Sequence, residues 1–205
     1  MFFVQYCKTE KNSLLESCST REYNIGINLF SECRMRHFRR VFMTRREFEI
    51  TDMEQILKIL DTAKVLHLGL SDDGQPYVVP MNYGYTYEND KLTIYLHGAT
   101  EGYKYEVLAK NPKISFSVET DVIPFAGDVA CQYGTSYSCV MGKGTAVVVE
   151  DVEEKKKGMS ILMQTQTGKE FSFNDRLVSA VHVIRMDITE FSAKHRPIPA
   201  LARVE

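Results

Sequence analysis

The chain has 205 residues, 44% of them hydrophobic and 25% charged, with a formal net charge of −2. No run approaches the roughly 20 consecutive apolar residues that cross a bilayer, and a near-neutral balance argues against a basic nucleic-acid-binding domain. The length suits one domain with an appendage, and no internal repeat or low-complexity stretch is present.

Charge is unevenly spread. Residues 1–42 hold 7 Lys/Arg against 4 Asp/Glu, and the remainder holds 18 against 23. Residues 1–42 show no sustained periodicity, and Ile25, Ile27, Leu29 and Phe30 make at most a short strand. The basic string Arg34-Met-Arg-His-Phe-Arg-Arg40 reads as a solvated tail rather than a nucleic-acid patch. The expectation is a poorly ordered extension over 1–42 and one folded domain over 43–205. Five cysteines, an odd number with no Cys-x-x-Cys pair, predict reduced thiols in a cytoplasmic protein without a metal site.

From residue 51 the pattern sharpens. Thr51 and Glu54 form a T-x-x-E capping box, and Met53, Ile56, Leu57 and Leu60 make one helical stripe. A strand over 65–70 follows, with Leu66, Leu68 and Leu70 on one face and His67 on the other. His67 reads as a surface or barrel-lining residue before it reads as a ligand. Residues 71–76 are a turn. Residues 77–85 make a strand-like run, 88–91 a polar turn, and 92–99 a second strand. A helix then starts near Gly102 and stops at Asn111-Pro112. Residues 113–119 alternate as a half-buried strand, and 120–134 read as a loop of about 15 residues, long enough to cover a ligand or a partner. A strand over 137–149 is interrupted by Gly142 and Gly144, which mark a bulge or a close backbone approach. A helix from Val152 to about Thr165, a loop over 168–175 and a strand over 180–188, extendable to 194, complete the chain. Strands outnumber helices, so the fold class is mainly β with peripheral helices, an α+β antiparallel barrel.

The stretch 77–104 carries the chemistry. Gly98, Ala99 and Gly102 let a ligand approach the backbone, the helix start favours negative charge, and Lys104 adds a cation. Two readings stand: a phosphate seat with the ligand body along Val79, Pro80, Met81 and Asn82, or a plain strand-to-helix connection with Lys104 in solvent. No Ser-hydrolase elbow and no metal-ligand spacing among the histidines is present, so hard chemistry falls to a cofactor. Pro80 belongs on an edge where a ligand can lie, and Asn82 offers a donor. By itself His97 reads as a strand-end histidine bonded to a carbonyl. Tyr83, Tyr85 and Tyr137 suit stacking on a substrate as well as they suit a core.

The string Asp72-Asp-Gly-Gln-Pro-Tyr-Val-Val-Pro-Met-Asn-Tyr-Gly-Tyr85, followed by His97-Gly-Ala-Thr-Glu-Gly-Tyr-Lys104, resembles the nitroimidazole-resistance (Nim) group of the pyridoxamine 5′-phosphate oxidase-like flavoproteins. The likeness continues through Asn111-Pro112, residues 138–144 and residues 150–155. It implies a split β-barrel homodimer with FMN at the subunit interface. It carries over Val79, Pro80, Met81 and Asn82, with His97, Gly98, Ala99, Gly102 and Lys104, as cofactor contacts, and His97 as the catalytic residue. Of the Arg/Ser/Lys clamp of the true oxidases only the lysine is in place, which counts against pyridoxamine phosphate as substrate. The expected function is an FMN-dependent reductase of small nitroaromatic or related acceptors, driven by NAD(P)H. The alternatives are a flavin- or haem-binding protein on the same barrel, with His97 or His67 as the haem ligand, and a deazaflavin-dependent reductase.

Overall fold

The computed structural model describes residues 45–204. The extension expected over 1–42 lies outside the described residues. A 3-10 turn at Arg46–Phe48 leads into strand β1 (Glu49–Ile50) and helix α1 (Met53–Thr62). Strands β2 (Leu66–Asp72), β3 (Gln75–Met81), β4 (Tyr83–Glu88) and β5 (Lys91–Gly98) follow, then helix α2 (Tyr103–Lys110). The long strands β6 (Lys113–Ala126) and β7 (Gly134–Val148) come next. Helices α3 (Val152–Thr167) and α4 (Asp175–Ser179) and strands β8 (His182–Arg196) and β9 (Arg203–Val204) complete the order.

Two turns were legible in advance. Asp73 and Gly74 at φ 46° and 90°, and Asn89 and Asp90 at φ 51° and 60°, adopt the left-handed pairs that close two-residue hairpins. They join β2 to β3 and β4 to β5. All ladders are antiparallel, in the order β3-β2-β6-β7-β8-β5-β4, with β1 on β8 and β9 on β6. The two ends of that path, β3 and β4, are adjacent in the chain and separated only by Asn82. This is a split β-barrel, open along one seam.

The seam corrects one expectation. Residues 77–85 are two strands: Tyr77 to Met81 pair with β2, and Tyr83 to Glu88 pair with β5. The alternation of side chains gives no sign of the break. The loop expected over 120–134 is also corrected. Strand β6 continues to Ala126 through a bulge between Thr120 and Ile123, where Asp121 takes φ 54°. The extra bulged residue breaks the period-2 pattern and made a strand look like a loop. Helix α1 is capped by Asp52, whose carboxylate accepts from Glu54 N at 3.3 Å, and not by Thr51. The close approach expected at Gly142 and Gly144 is present: β8 carries one extra residue opposite Lys143/Gly144.

Inward side chains of the barrel form one core. Leu66, Leu68, Met81, Tyr83, Ile94, Leu96, Val118, Val140 and Ile184 meet Ile56, Ile59 and Leu60 from α1 and Val107 and Leu108 from α2. Burial of each large aliphatic is worth about 1.5–3 kcal/mol. Helix α3 packs on the outer face of β4, β5 and β8, where Tyr95, Val149 and Val183 meet Met159 and Ile161. Tyr83 is fully buried and its hydroxyl donates to Leu60 O at 2.7 Å. Tyr85 donates to Asp61 Oδ1 at 2.8 Å. Both rings serve the fold; burial raises both hydroxyl pKa values, so they stay protonated donors.

Helix α3 crosses β4 at Gly84. A Cβ there would lie 2.5 Å from Leu162 N and 2.6 Å from Ile161 C, both backbone atoms that cannot step aside. Gly84→Ala is therefore expected to destabilise the fold by about 1–3 kcal/mol, read from urea unfolding. Unchanged stability would show that α3 does not rest on β4.

Candidate functional site

Strand β5 ends at Gly98, and α2 begins after Gly102, which sits at φ 145°. Helices α1, α3 and α4 are capped by Asp52, Asp151 and Asn174, whereas no side chain caps α2. The first-turn N–H groups of α2 thus have no side-chain acceptor, and the helix dipole favours an anion there. Lys104 folds back over this turn. Its Nζ lies 3.2 Å from the position of a Cβ on Gly98 and 3.3 Å from one on Gly102. The structure therefore brings together Gly98, Gly102 and Lys104. Ala99 and Glu101 lie exposed on the same connection. Lys143, which stands between Gly142 and Gly144, pairs with Glu190 at 2.9 Å.

His97 and Gly98 are neighbours on a strand, so their side chains point to opposite faces. Gly98 faces inward, in register with His182 on β8, and His97 faces the α3 side, in register with Val183. His97 Nδ1 is enclosed and has no hydrogen-bond partner among the described residues. Burial lowers the His97 pKa from the ordinary 6.5, so the imidazole is neutral at pH 7. His97 and Lys104 thus flank the end of β5 from two sides rather than sharing one wall.

The segment 79–82 divides in the same way. Met81 is buried and Val79 packs against the core, while Val78 and Pro80 point outward. Among the described residues β3 pairs only with β2, so one side of its backbone is free to hydrogen-bond a ligand. Asn82 Nδ2 donates to Lys64 O at 3.0 Å, which leaves the Asn82 carbonyl oxygen for a ligand. Opposite Pro80, His67 lies 3.5 Å from Glu119. The α2 helix ties this strand to the turn. The Tyr77 and Tyr103 rings meet edge to face at 5.2 Å, the Tyr103 hydroxyl donates to Asp72, and Lys110 pairs with Asp72 at 3.1 Å.

Sequence reasoning missed two residues. Tyr105 places its hydroxyl 2.7 Å from the Cβ position of Gly98, and its ring meets that of His182 edge to face at 4.8 Å. Among the described residues neither Tyr105 Oη nor His182 Nδ1 has a hydrogen-bond partner, although both are enclosed. His182 is 84 residues from Gly98 in sequence and is brought there only by the β5–β8 ladder. No local pattern announces it.

Residues 52–195 match the sequence family described as pyridoxamine 5′-phosphate oxidase. No curated protein matches the chain. A solved structure from Bacteroides thetaiotaomicron, described as a candidate 5-nitroimidazole antibiotic resistance protein, is 33% identical over 72% of this chain and 86% of its own, with a TM-score of 0.61. The flavocytochrome Anf3 of Azotobacter vinelandii superposes with a TM-score of 0.64 at 22% identity, over 80% of this chain and 82% of its own. An FAD- and haem-binding protein of Mycobacterium smegmatis gives 0.61 at 19% identity, over 72% of each chain. The last two share the fold. Among the described residues no helix is long and apolar enough to cross a membrane, and no group of His, Cys, Asp and Glu is arranged to hold a metal.

The lowered His97 pKa has a measurable consequence. Between that lowered value and 6.5 the unfolded chain binds a proton that the folded chain refuses, so stability falls as pH drops through this window. In His97→Gln the fall is expected to be shallower, with the stability difference between the two proteins constant above pH 7. Urea unfolding at a series of pH values measures it, and parallel curves would show that His97 is not held neutral by burial.

Proposed function

The chain belongs to the pyridoxamine 5′-phosphate oxidase-like family and has Nim-like relatives, and on that premise we propose that it is an FMN-dependent reductase. Its acceptors are small nitroaromatic compounds of the 5-nitroimidazole kind or related molecules, and NAD(P)H is the electron source. The observation that carries the reading is the convergence of Lys104, Gly98 and Gly102 on the uncapped start of α2, beside the free edge of β3.

The residues present fit such a cofactor. Lys104 and the first N–H groups of α2 would hold its phosphate. Ala99 and Gly102 would admit it, and Gly98 leaves room for Lys104 and Tyr105 beside it. The edge of β3 from Val79 to Asn82 would offer backbone donors and acceptors, with Pro80 against the ring. Bound flavin would supply the electron transfer that the protein's own side chains do not. His97, neutral and with an unpartnered Nδ1, would meet the acceptor through a hydrogen bond rather than as an imidazolium.

A two-fold partner is part of the proposal. Helix α3 covers the outer face of β4, β5 and β8. The outer sides of β2, β3, β6 and β7 present His67, Val78, Pro80, Ser117, Glu119 and Met141. Beside them Val122 and Tyr133 are more than half exposed, within the stretch expected to reach across to a partner. A second copy seated on this face would close the ligand slot. Exposed Cys131 and buried Cys139 are free thiols, in keeping with a cytoplasmic setting.

An absorbance spectrum of the purified protein, before and after FMN is added, tests the cofactor. The expectation is the two-band flavin spectrum, a dimer by light scattering, and NAD(P)H-driven reduction of a 5-nitroimidazole. Lys104→Ala should weaken FMN binding about tenfold, the loss of one charge-assisted contact. His97→Asn should lower turnover with FMN still bound. A single intense Soret band would replace flavin by haem, and a co-purifying deazaflavin would change the cofactor. A monomer that holds FMN tightly would remove the partner from the site.

A further inference from the structure

We propose that Tyr105 and His182 complete the anion seat, with Tyr105 Oη–H and His182 Nδ1–H donating to the phosphoryl oxygens that Lys104 holds. The inference rests on the flavin mononucleotide reading above. Its occupant is a terminal phosphomonoester.

Enclosed donors without partners are rare, because folding strips their water and returns nothing. Among the described residues two enclosed polar atoms without a hydrogen-bond partner stand together here: Tyr105 Oη and His182 Nδ1. Their rings are 4.8 Å apart and perpendicular. Both border Gly98, His182 as its cross-strand partner and Tyr105 through the hydroxyl 2.7 Å from the Cβ position. Lys104 Nζ borders the same glycine at 3.2 Å. Three polar groups from β5's neighbour strand and α2 thus gather around one residue that has no side chain. With a proton on Nδ1 the imidazole donates there, as the phenol does.

Tyr105 has a second part to play, as a positioning residue. Lys104 Nζ lies over the Tyr105 ring, 4.4 Å from its centroid. A cation over a ring face is held there, and the His182 ring braces the Tyr105 ring edge to face. The lysine therefore arrives at the turn in a fixed place instead of sweeping through solvent. With a single cation and the nearby carboxylate of Glu101, these donors replace the basic side chains that a stronger clamp would use.

The test separates phosphate recognition from everything else in the site. Affinities of the full chain for FMN and for riboflavin are measured by flavin fluorescence quenching, and their ratio isolates the phosphate. In wild type FMN is expected to bind more tightly, and Lys104→Ala shrinks the ratio. Tyr105→Phe keeps the ring under the lysine and loses the hydroxyl, so the ratio falls about tenfold with riboflavin affinity unchanged. Tyr105→Leu loses both, and the ratio falls further. His182→Phe lowers the ratio, and His182→Asn, which restores a donor, recovers part of it. Equal loss of both ligands in every variant would mean a purely structural pair and would overturn the inference. A ratio that responds to Lys104→Ala but ignores Tyr105→Phe and His182→Phe would also overturn it while leaving the FMN reading intact. A wild type that binds neither flavin would remove both.

Discussion

The structure depends on how the seam at Asn82 is closed. The chain steps from β3, at one end of the sheet, to β4, at the other, across one residue and without a hydrogen-bonded ladder. An open seam would leave two bare edges, and one of them is supplied from a helix. Gln166 Nε2 donates to Tyr83 O at 2.7 Å, and Thr165 Oγ1 accepts from Tyr85 N at 3.4 Å, so side chains of α3 stand where a neighbouring strand would. Lys64 Nζ reaches Thr165 O at 2.9 Å, and Asn82 returns a bond to Lys64 O. Gly84 is the condition for all of this, since only a residue without a side chain lets the helix backbone come so near. Closing β4 in this way leaves β3 as the edge with backbone to spare, the side on which the proposed ligand would lie.

The same constraint explains what the sequence could say. The two hairpin turns were readable because Asp-Gly and Asn-Asp solve a local problem, positive φ at two successive residues. The stop at Asn111-Pro112 and the glycine-marked bulge at Gly144 were readable for similar reasons. The break at Asn82 was not, because Tyr83 and Gly84 continue the pattern of Tyr77 to Met81 and the change of partner strand is a tertiary event. The second half of β6 was hidden by a bulge at Asp121 that inverts the alternation. The capping residue slipped by one position because Thr51 and Asp52 are both competent caps, and only the path of the chain out of β1 chooses between them.

The site was legible to the extent that it is local. Gly98, Gly102 and Lys104 lie within seven residues, and strand-turn-helix geometry requires them to meet. Which face His97 takes follows from the register of β5 against β8, and Tyr105 is one of several aromatic residues that could equally have been core. His182 is brought beside Gly98 by that register alone.

Geometry also decides which force can hold an anion here. A lone lysine at a partly solvated strand end contributes no more than about tenfold by charge, because water and salt screen it and its long side chain must be ordered. The uncapped helix start adds a partial charge of limited reach. The groups that gain most from meeting an anion are those already stripped of water and left unpaired, since their desolvation is complete before the ligand arrives. Tyr105 Oη and His182 Nδ1 are in that position on the inner side of β5, and His97 Nδ1 is on the outer side. The strand end therefore carries two separate unmet demands, one suited to a phosphate and one to a neutral hydrogen-bonding partner. A ligand that ends in an anion and a smaller molecule that arrives from the α3 side would satisfy both without competing for the same wall.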